Sequence, residues 1–315
     1  MATFTYEIHA AMPAALRGGV LTIGNFDGVH LGHQTLLAEA ARQGRPAVAV
    51  TFDPHVSHVL RPDRVEPPLT TLEERISLLY EFGVDHVLIL RTTLALLQLS
   101  AREFFEQILI ERLAVKAMVE GFNFAFGRGR EGTTEVLQRL CDERSVPLTL
   151  IPPCEVDGQP VSSTRVRADV LAGAVDVVQQ LLGRPYRITG VVGTGQKRGQ
   201  TLGFPTANLH DVQTLVPGNG VYAVRATILP SPTGSEVGGD GMSWPAAANV
   251  GPNPTFGENA RKIEVHLIGF SGDIYGQILN VDFVKQIRAT RAFGSAQELI
   301  AQIQIDIDSV RKVLA

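Results

Sequence analysis

From residue 20 to about residue 182, short apolar runs alternate with stretches in which apolar side chains return every three or four positions. The runs are Val20–Ile23, Ala47–Thr51, His86–Leu90, Ala117–Gly121 and Pro147–Ile151, and their length predicts β-strands. The helical period between them predicts helices near 31–42, 71–82, 100–113 and 131–144. Strands and helices in alternation imply a parallel sheet covered on both faces, with ligands at the carboxyl ends of the strands. After Leu182 the rhythm changes. Segments near 186–193, 220–229, 245–251, 261–269 and 276–285 read as strands, and 295–314 reads as a helix, which together predict a small β-barrel with a terminal helix. The fold class is therefore α/β plus β, with domains at 1–182 and 183–315. A fragment beginning near Gly183 is expected to fold by itself. Pro230–Gly241, dense in Pro, Gly and Ser, reads as a loop inside the second domain.

Composition narrows the function. The chain has 315 residues, 44% of them hydrophobic, enough for a core in each half. Its net charge of −4 argues against a broad basic face for nucleic acid, while leaving room for a local anion pocket. Cys141 and Cys154 lack metal-ligand spacing and suit packing in a reducing compartment. Met1–Leu16 has no basic-then-apolar leader, and no apolar run approaches the roughly 18 residues of a membrane span. A cytoplasmic protein with neither membrane nor nucleic-acid partners is expected.

Gly24-Asn25-Phe26-Asp27-Gly28-Val29-His30-Leu31-Gly32-His33 lies where the first apolar strand passes into a helix. His30 and His33 fall on one face of the first helical turn, where backbone N–H groups and the helix dipole already favour an anion. Paired imidazoles there can follow charge developing on a phosphoryl group. Ser162-Ser163-Thr164-Arg165-Val166-Arg167 offers hydroxyls and guanidiniums at the start of a later helix, a second set of groups suited to phosphate. Gly121-Phe122-Asn123-Phe124-Ala125-Phe126-Gly127 follows another strand and combines tight-turn glycines with aromatic rings.

The second half carries an independent signature. Gly190 to Asn208 contains Gly193, Gly195 and Gly199 with Lys197 and Arg198 between them, then Pro205-Thr206-Ala207-Asn208. The glycines suit a flap over a nucleotide and the cations its phosphates, without the spacing of a Walker A loop. Thr206 and Asn208 sit two residues apart, so an extended segment puts both oxygens on one side. In Ile263-Glu264-Val265-His266-Leu267 the apolar residues alternate inward and Glu264 and His266 outward, which by itself marks Glu264 only as an outward-facing strand carboxylate.

The first stretch resembles the signature of the nucleotidyltransferase superfamily. Both motif sets together most closely resemble the prokaryotic bifunctional riboflavin kinase/FMN adenylyltransferase (FAD synthetase) family. That resemblance implies a Rossmann-like nucleotidyltransferase domain followed by a riboflavin kinase barrel. It implies that Gly24, Asn25, Phe26, Asp27, His30, Gly32, His33, Ser162, Ser163, Thr164 and Arg167 bind ATP for adenylyl transfer, with His30 and His33 catalytic, and that Asn123 faces the flavin. In the kinase half it implies that Gly193, Gly195, Lys197, Arg198, Gly199, Thr206 and Asn208 bind ATP, with Thr206 and Asn208 also on Mg²⁺. Glu264 is implied as the base and Arg288 as a flavin contact. Ala248-Asn249-Val250-Gly251-Pro252-Asn253-Pro254-Thr255-Phe256 and Pro217–Tyr222 also follow the family pattern. Riboflavin and ATP would give FMN in the second half, and FMN and ATP would give FAD and pyrophosphate in the first. Thr290 and Ala292 replace a charged pair of the family's pattern, which leaves a flavin-binding protein with only the adenylyltransferase half active as the alternative.

Overall fold

The structure, a computed structural model, describes residues 1–7, 10–194, 203–229, 241–253 and 258–315. It divides into two compact units, one of residues 1–66 and 70–163 and one of residues 67–69 and 164–315. The strands of the first are β1 (Ala2–Tyr6), β2 (Val20–Ile23), β3 (Ala47–Asp53), β4 (His86–Arg91), β5 (Ala117–Gly121) and β6 (Leu148–Ile151), followed by the short pair β7 (Glu155–Val156) and β8 (Gln159–Pro160). The second holds β9 (Tyr186–Gly193), β10 (Ala207–His210), β11 (Gly220–Leu229), β12 (Ser243–Asn253), β13 (Glu258–Leu267) and β14 (Ile278–Arg288). Helices in chain order are α1 (Leu31–Gln43), α2 (Val56–Leu60), α3 (Leu72–Glu81), α4 (Leu94–Gln98), α5 (Ala101–Phe104), α6 (Thr134–Glu143), α7 (Ser163–Ala172), α8 (Val175–Leu182) and α9 (Ala296–Leu314).

In the first unit β1 to β6 form one parallel sheet in the order β1-β4-β3-β2-β5-β6. Alternate residues of each strand feed opposite cores. Val48, Val50, Leu88 and Leu90 pack with Phe105, Ile108 and Leu137 on one side. Ala49, Val87 and Ile89 pack with Leu37 and Leu79 of α1 and α3 on the other. The chain winds from β2 toward β3 on one side and from β5 toward β6 on the other, so the carboxyl ends of β2 and β5 flank the switch point, where open parallel sheets bind ligands. Besides β7, β8, α2, α4 and α8, which the sequence reading did not include, and β10, which it took only as an extended segment, two elements depart from it. β1 was not foreseen because its alternating Thr and Phe form a half-exposed edge strand, without the apolar run that marks a buried one. The single helix expected at 100–113 is α5, started by a Ser100/Glu103 capping box, running on into a π-helical segment at Phe105–Arg112.

The second unit is a closed barrel in the order β10-β13-β12-β11-β14-β9. Tyr186, Ile188, Tyr222, Val224, Ala248, Val265, Leu279, Val281 and Phe283 fill its buried interior. α9 lies on β11, β12 and β14 and buries Ile307, Val310 and Leu314. α8 packs on β14 and β9 and buries Val175, Val178, Leu181 and Leu182. Residues 230–240 of the expected loop lie outside the described residues.

Candidate active sites

The end of β2 meets α1 through a loop of unusual backbone. Phe26 and Val29 have φ of 49° and 40°, and Gly28 has φ of 82°. A β-branched residue in this region is a genuine outlier, held there because Phe26 and Val29 are fully buried. The loop is pinned by Thr70, whose N–H donates to Asp27 Oδ1 at 3.3 Å and whose Oγ1 accepts from Gly28 N–H at 3.2 Å.

His30 is the N-cap of α1, its Nδ1 accepting from His33 N–H at 3.4 Å. The two rings stack at 3.7 Å with planes 18° apart, and Phe26 meets His33 edge-on at 5.2 Å. Gly32 makes room for this: a Cβ there would stand 3.3 Å from His30 Nδ1 and Cε1. Burial, with the nearby His30 and Arg75, pushes the His33 imidazole well below its usual 6.5, so His33 is neutral at pH 7. A neutral imidazole can still donate one hydrogen bond to developing charge, as a preorganised dipole. Asn25, five residues before His30, accepts at its carbonyl from Thr51 Oγ1 at 3.2 Å.

Ser163, at the first turn of α7, donates from Oγ to the Asp27 carbonyl at 2.9 Å, which ties this one residue to the histidine loop. Ser162 and Thr164 flank it in sequence. Arg167 Nη1 donates to the Pro67 carbonyl at 2.6 Å. After β5, Asn123 is exposed while Phe124 and Phe126 turn inward and stack at 5.4 Å against the core. Only Phe122 of the three rings stands largely in solvent, 48% exposed.

Two ionisable groups near this loop escaped the sequence reading. Arg75 of α3 is 5% exposed and feels the charges of Asp27 and Asp53. Glu120 of β5 is fully buried, and its Oε1 accepts from Ile23 N–H at 3.0 Å. Each had a signal: Arg75 interrupts the apolar stripe of its helix and Glu120 an apolar strand.

In the barrel, register assembles the second site. Asn208 of β10 pairs with Glu264 of β13, and Glu264 with Asn249 of β12, so three polar side chains lie in one row on one face. All three are half-buried, and Ala207, Val265 and Ala248 beside them point into the core. Thr206, two residues before Asn208, immediately precedes β10. His266, two positions along from Glu264, contacts the Pro205 carbonyl through Nδ1 at 2.8 Å and meets Phe204 edge-on, which ties the Pro205-Thr206 segment to β13. Gly193 pairs with Asn208, and any Cβ there would collide with the His210 ring. Gly195, Lys197, Arg198 and Gly199 lie outside the described residues, as do Pro254, Thr255 and Phe256.

Arg288 is committed to α9. Its Nε reaches both carboxylate oxygens of buried Asp306 at 3.0 and 3.1 Å, Nη2 reaches Oδ2 at 2.8 Å, and Nη1 donates to the Ala289 carbonyl at 3.0 Å. Phe293 lies near two guanidiniums, that of Arg288 at 5.6 Å and that of Arg291 at 4.9 Å.

The two units match two known domains. A family model described as FAD synthetase matches residues 12–165, and one described as riboflavin kinase matches residues 182–314. A Pseudomonas fluorescens protein named a bifunctional riboflavin kinase/FMN adenylyltransferase is 38% identical over 95% of this chain and 94% of its own length. A Bacillus subtilis protein of the same name is 34% identical over 91% and 90%. A solved structure described as a macrolide-efflux protein from Streptococcus pneumoniae is 31% identical with a TM-score of 0.85, covering 98% of each chain. No helix among the described residues is long and apolar enough to cross a membrane. With both domains present and the relatives matched over nearly their full length, the chain belongs to the bifunctional riboflavin kinase/FMN adenylyltransferase family.

Proposed function

We propose a division of labour in which residues 1–182 carry adenylyl transfer and residues 183–315 carry phosphorylation. The chain makes FMN from riboflavin and ATP, and FAD from FMN and ATP. The observation that supports the residue assignment is the pair of separate polar arrays, the His30/His33 stack at one strand end and the Asn208–Glu264–Asn249 row on the barrel.

For adenylyl transfer, an oxygen of the FMN phosphate attacks the α-phosphorus of ATP in line and pyrophosphate leaves, so positioning and charge stabilisation suffice. Gly24, Asn25, Phe26, Asp27 and Gly32 shape the nucleotide loop. His30 and His33 donate to the oxygens on which charge grows, Ser162, Ser163, Thr164 and Arg167 bind phosphate, and Asn123 meets the flavin. For phosphorylation, Glu264 accepts the proton of the riboflavin hydroxyl as its oxygen attacks the γ-phosphorus and ADP leaves. Arg288 acts on the flavin through the segment it anchors to α9, since its Nε and Nη2 are engaged by Asp306.

Mg²⁺ fits the kinase array. Thr206 offers a hydroxyl and Asn208 an amide oxygen, hard donors of the kind Mg²⁺ takes alongside nucleotide phosphates. The described residues hold no cluster of three His, Cys, Asp or Glu, so a metal there would rely on the nucleotide for its remaining ligands. When bound, the ion neutralises charge on the phosphates. The substrates are small molecules and the setting is cytoplasmic, with neither nucleic acid nor membrane as partner.

Incubation with riboflavin, ATP and Mg²⁺, with products separated by chromatography, tests the assignment. Wild type gives FAD, His33→Ala stops at FMN, and Glu264→Gln makes FAD only when supplied with FMN. Loss of both products in either variant, with the protein folded, would refute the division.

A further inference from the structure

Neighbouring strands of the first unit's sheet part company at one place. β2 stays paired with β3 as far as Ile23 and Val50, and β5 with β6 as far as Gly121 and Ile151. Between β2 and β5 the pairing ends earlier, at Leu21 and Met118, two residues short on β2 and three on β5. Ile23 N–H would be left without a ladder acceptor there, and the Glu120 side chain supplies one at 3.0 Å. A side-chain carboxyl reaching across spans more than the roughly 4.8 Å between directly bonded strands, so the sheet opens at this point.

The opening lies between the two ligand loops. Ile23 immediately precedes Gly24 of the histidine loop, and Glu120 immediately precedes Gly121 of the Asn123 loop. One hydrogen bond therefore ties the last residue before one loop to the last residue before the other. Nothing in packing asks for an acid at this position. Glu120 is fully buried on the face of β5 that carries Met118, and its second oxygen, Oε2, has no partner. Buried polar groups left unsatisfied are uncommon and collect where geometry serves a function. Burial also holds this carboxyl protonated, so no charge is enclosed with it.

We propose that Glu120 is a positioning residue for adenylyl transfer: by standing in for a sheet carbonyl it holds the ends of β2 and β5 apart and sets the spacing between the ATP loop and the flavin loop. The inference rests on the assignment of FAD formation to the first unit. It adds a residue that touches neither substrate and acts on the Gly24 and Gly121 loops together.

The test uses the full chain with Glu120→Gln, which keeps the shape and acceptor of the neutral acid, and Glu120→Val, which removes the acceptor. Glu120→Val should lower kcat for FAD formation from FMN and ATP, or raise KM for FMN, by about 10-fold to 100-fold, the scale of a displaced reacting group. Glu120→Gln should restore wild-type values within about threefold, and riboflavin phosphorylation should be unchanged in both. Amide exchange at Ile23 gives a readout independent of turnover, rising in Glu120→Val while Leu21 stays protected. Should Glu120→Val fail to fold, Glu120→Asp, too short by one methylene to reach Ile23, takes its place with the same expected losses. Wild-type kcat and KM in a folded variant without the acceptor would overturn the inference, as would Glu120→Gln being equally impaired. No FAD from wild type would instead overturn the underlying assignment.

Discussion

His30 and His33 lie ring on ring, 3.7 Å apart and 18° from parallel, while His30 Nδ1 also caps the backbone of His33. Each ring therefore fixes the other, and the loss of either should cost more than one hydrogen bond. Alanine at either position is expected to slow FAD formation by about 10²-fold or more, the scale for removing one preorganised donor. FMN formation is expected to stay at wild-type rate in both, measured on the same preparation. The double variant should lose little beyond the worse single one, because the two act as a unit.

His33 and Glu120 titrate in opposite senses. The folded state resists protonating His33, while the unfolded chain takes up that proton below its usual 6.5, so His33 withdraws stability as pH falls. The folded state keeps a proton on Glu120 that the unfolded chain releases above its usual 4.5, so stability tied to that proton is present at low pH and lost as pH rises. Glu120→Gln removes the second effect alone. Its melting temperature relative to wild type should climb as pH rises above the usual carboxyl value of 4.5, where the unfolded chain releases its proton. A difference that does not vary with pH would mean Glu120 titrates as an ordinary carboxyl.

Across β10 and β13, Asn208 and Glu264 face one another on the half-buried face. Glu264→Gln keeps the shape of that row and removes the proton acceptor, so riboflavin phosphorylation should slow by about 10²-fold or more. Riboflavin binding, followed by quenching of its fluorescence, should be unchanged, and FAD formation from FMN should be untouched. Native kinase turnover in this variant would remove Glu264 from the chemistry.

Much of this was legible in the chain because local signals agreed. Val20–Ile23, Ala117–Gly121 and the barrel strands at 186–193 and 220–229 stand where the apolar pattern puts them. The histidine motif sits at a strand end because a short apolar run followed by glycines allows little else. What stayed hidden depended on partners distant in sequence. Glu120 reads as a flaw in a strand until Ile23, 97 residues away, is seen to need its oxygen. Arg75 reads as a solvated helix charge until Asp27 and Asp53 surround it. Arg288, expected at the flavin from its motif, is held by Asp306 on α9, a pairing that periodicity cannot announce. The same limit governs α8, which the sequence reading did not include: the core it joins lies on strands later in the chain.

That last point bears on where the kinase unit begins. α8 ends at Leu182 and buries Val175, Val178, Leu181 and Leu182 against β14 and β9. A chain starting at Gly183 loses them all. At about 1.5–3 kcal/mol for each fully buried aliphatic side chain, the loss is comparable with the whole stability of about 5–15 kcal/mol expected of a domain. A fragment of Thr164–Ala315 is therefore expected to melt cooperatively by circular dichroism and to convert riboflavin to FMN without making FAD. The fragment from Gly183, whose sequence alone suggested autonomy, is expected to show no cooperative melting at the same temperature and little kinase activity. Equal melting temperatures for the two would mean that α8 packs on the barrel without holding it together.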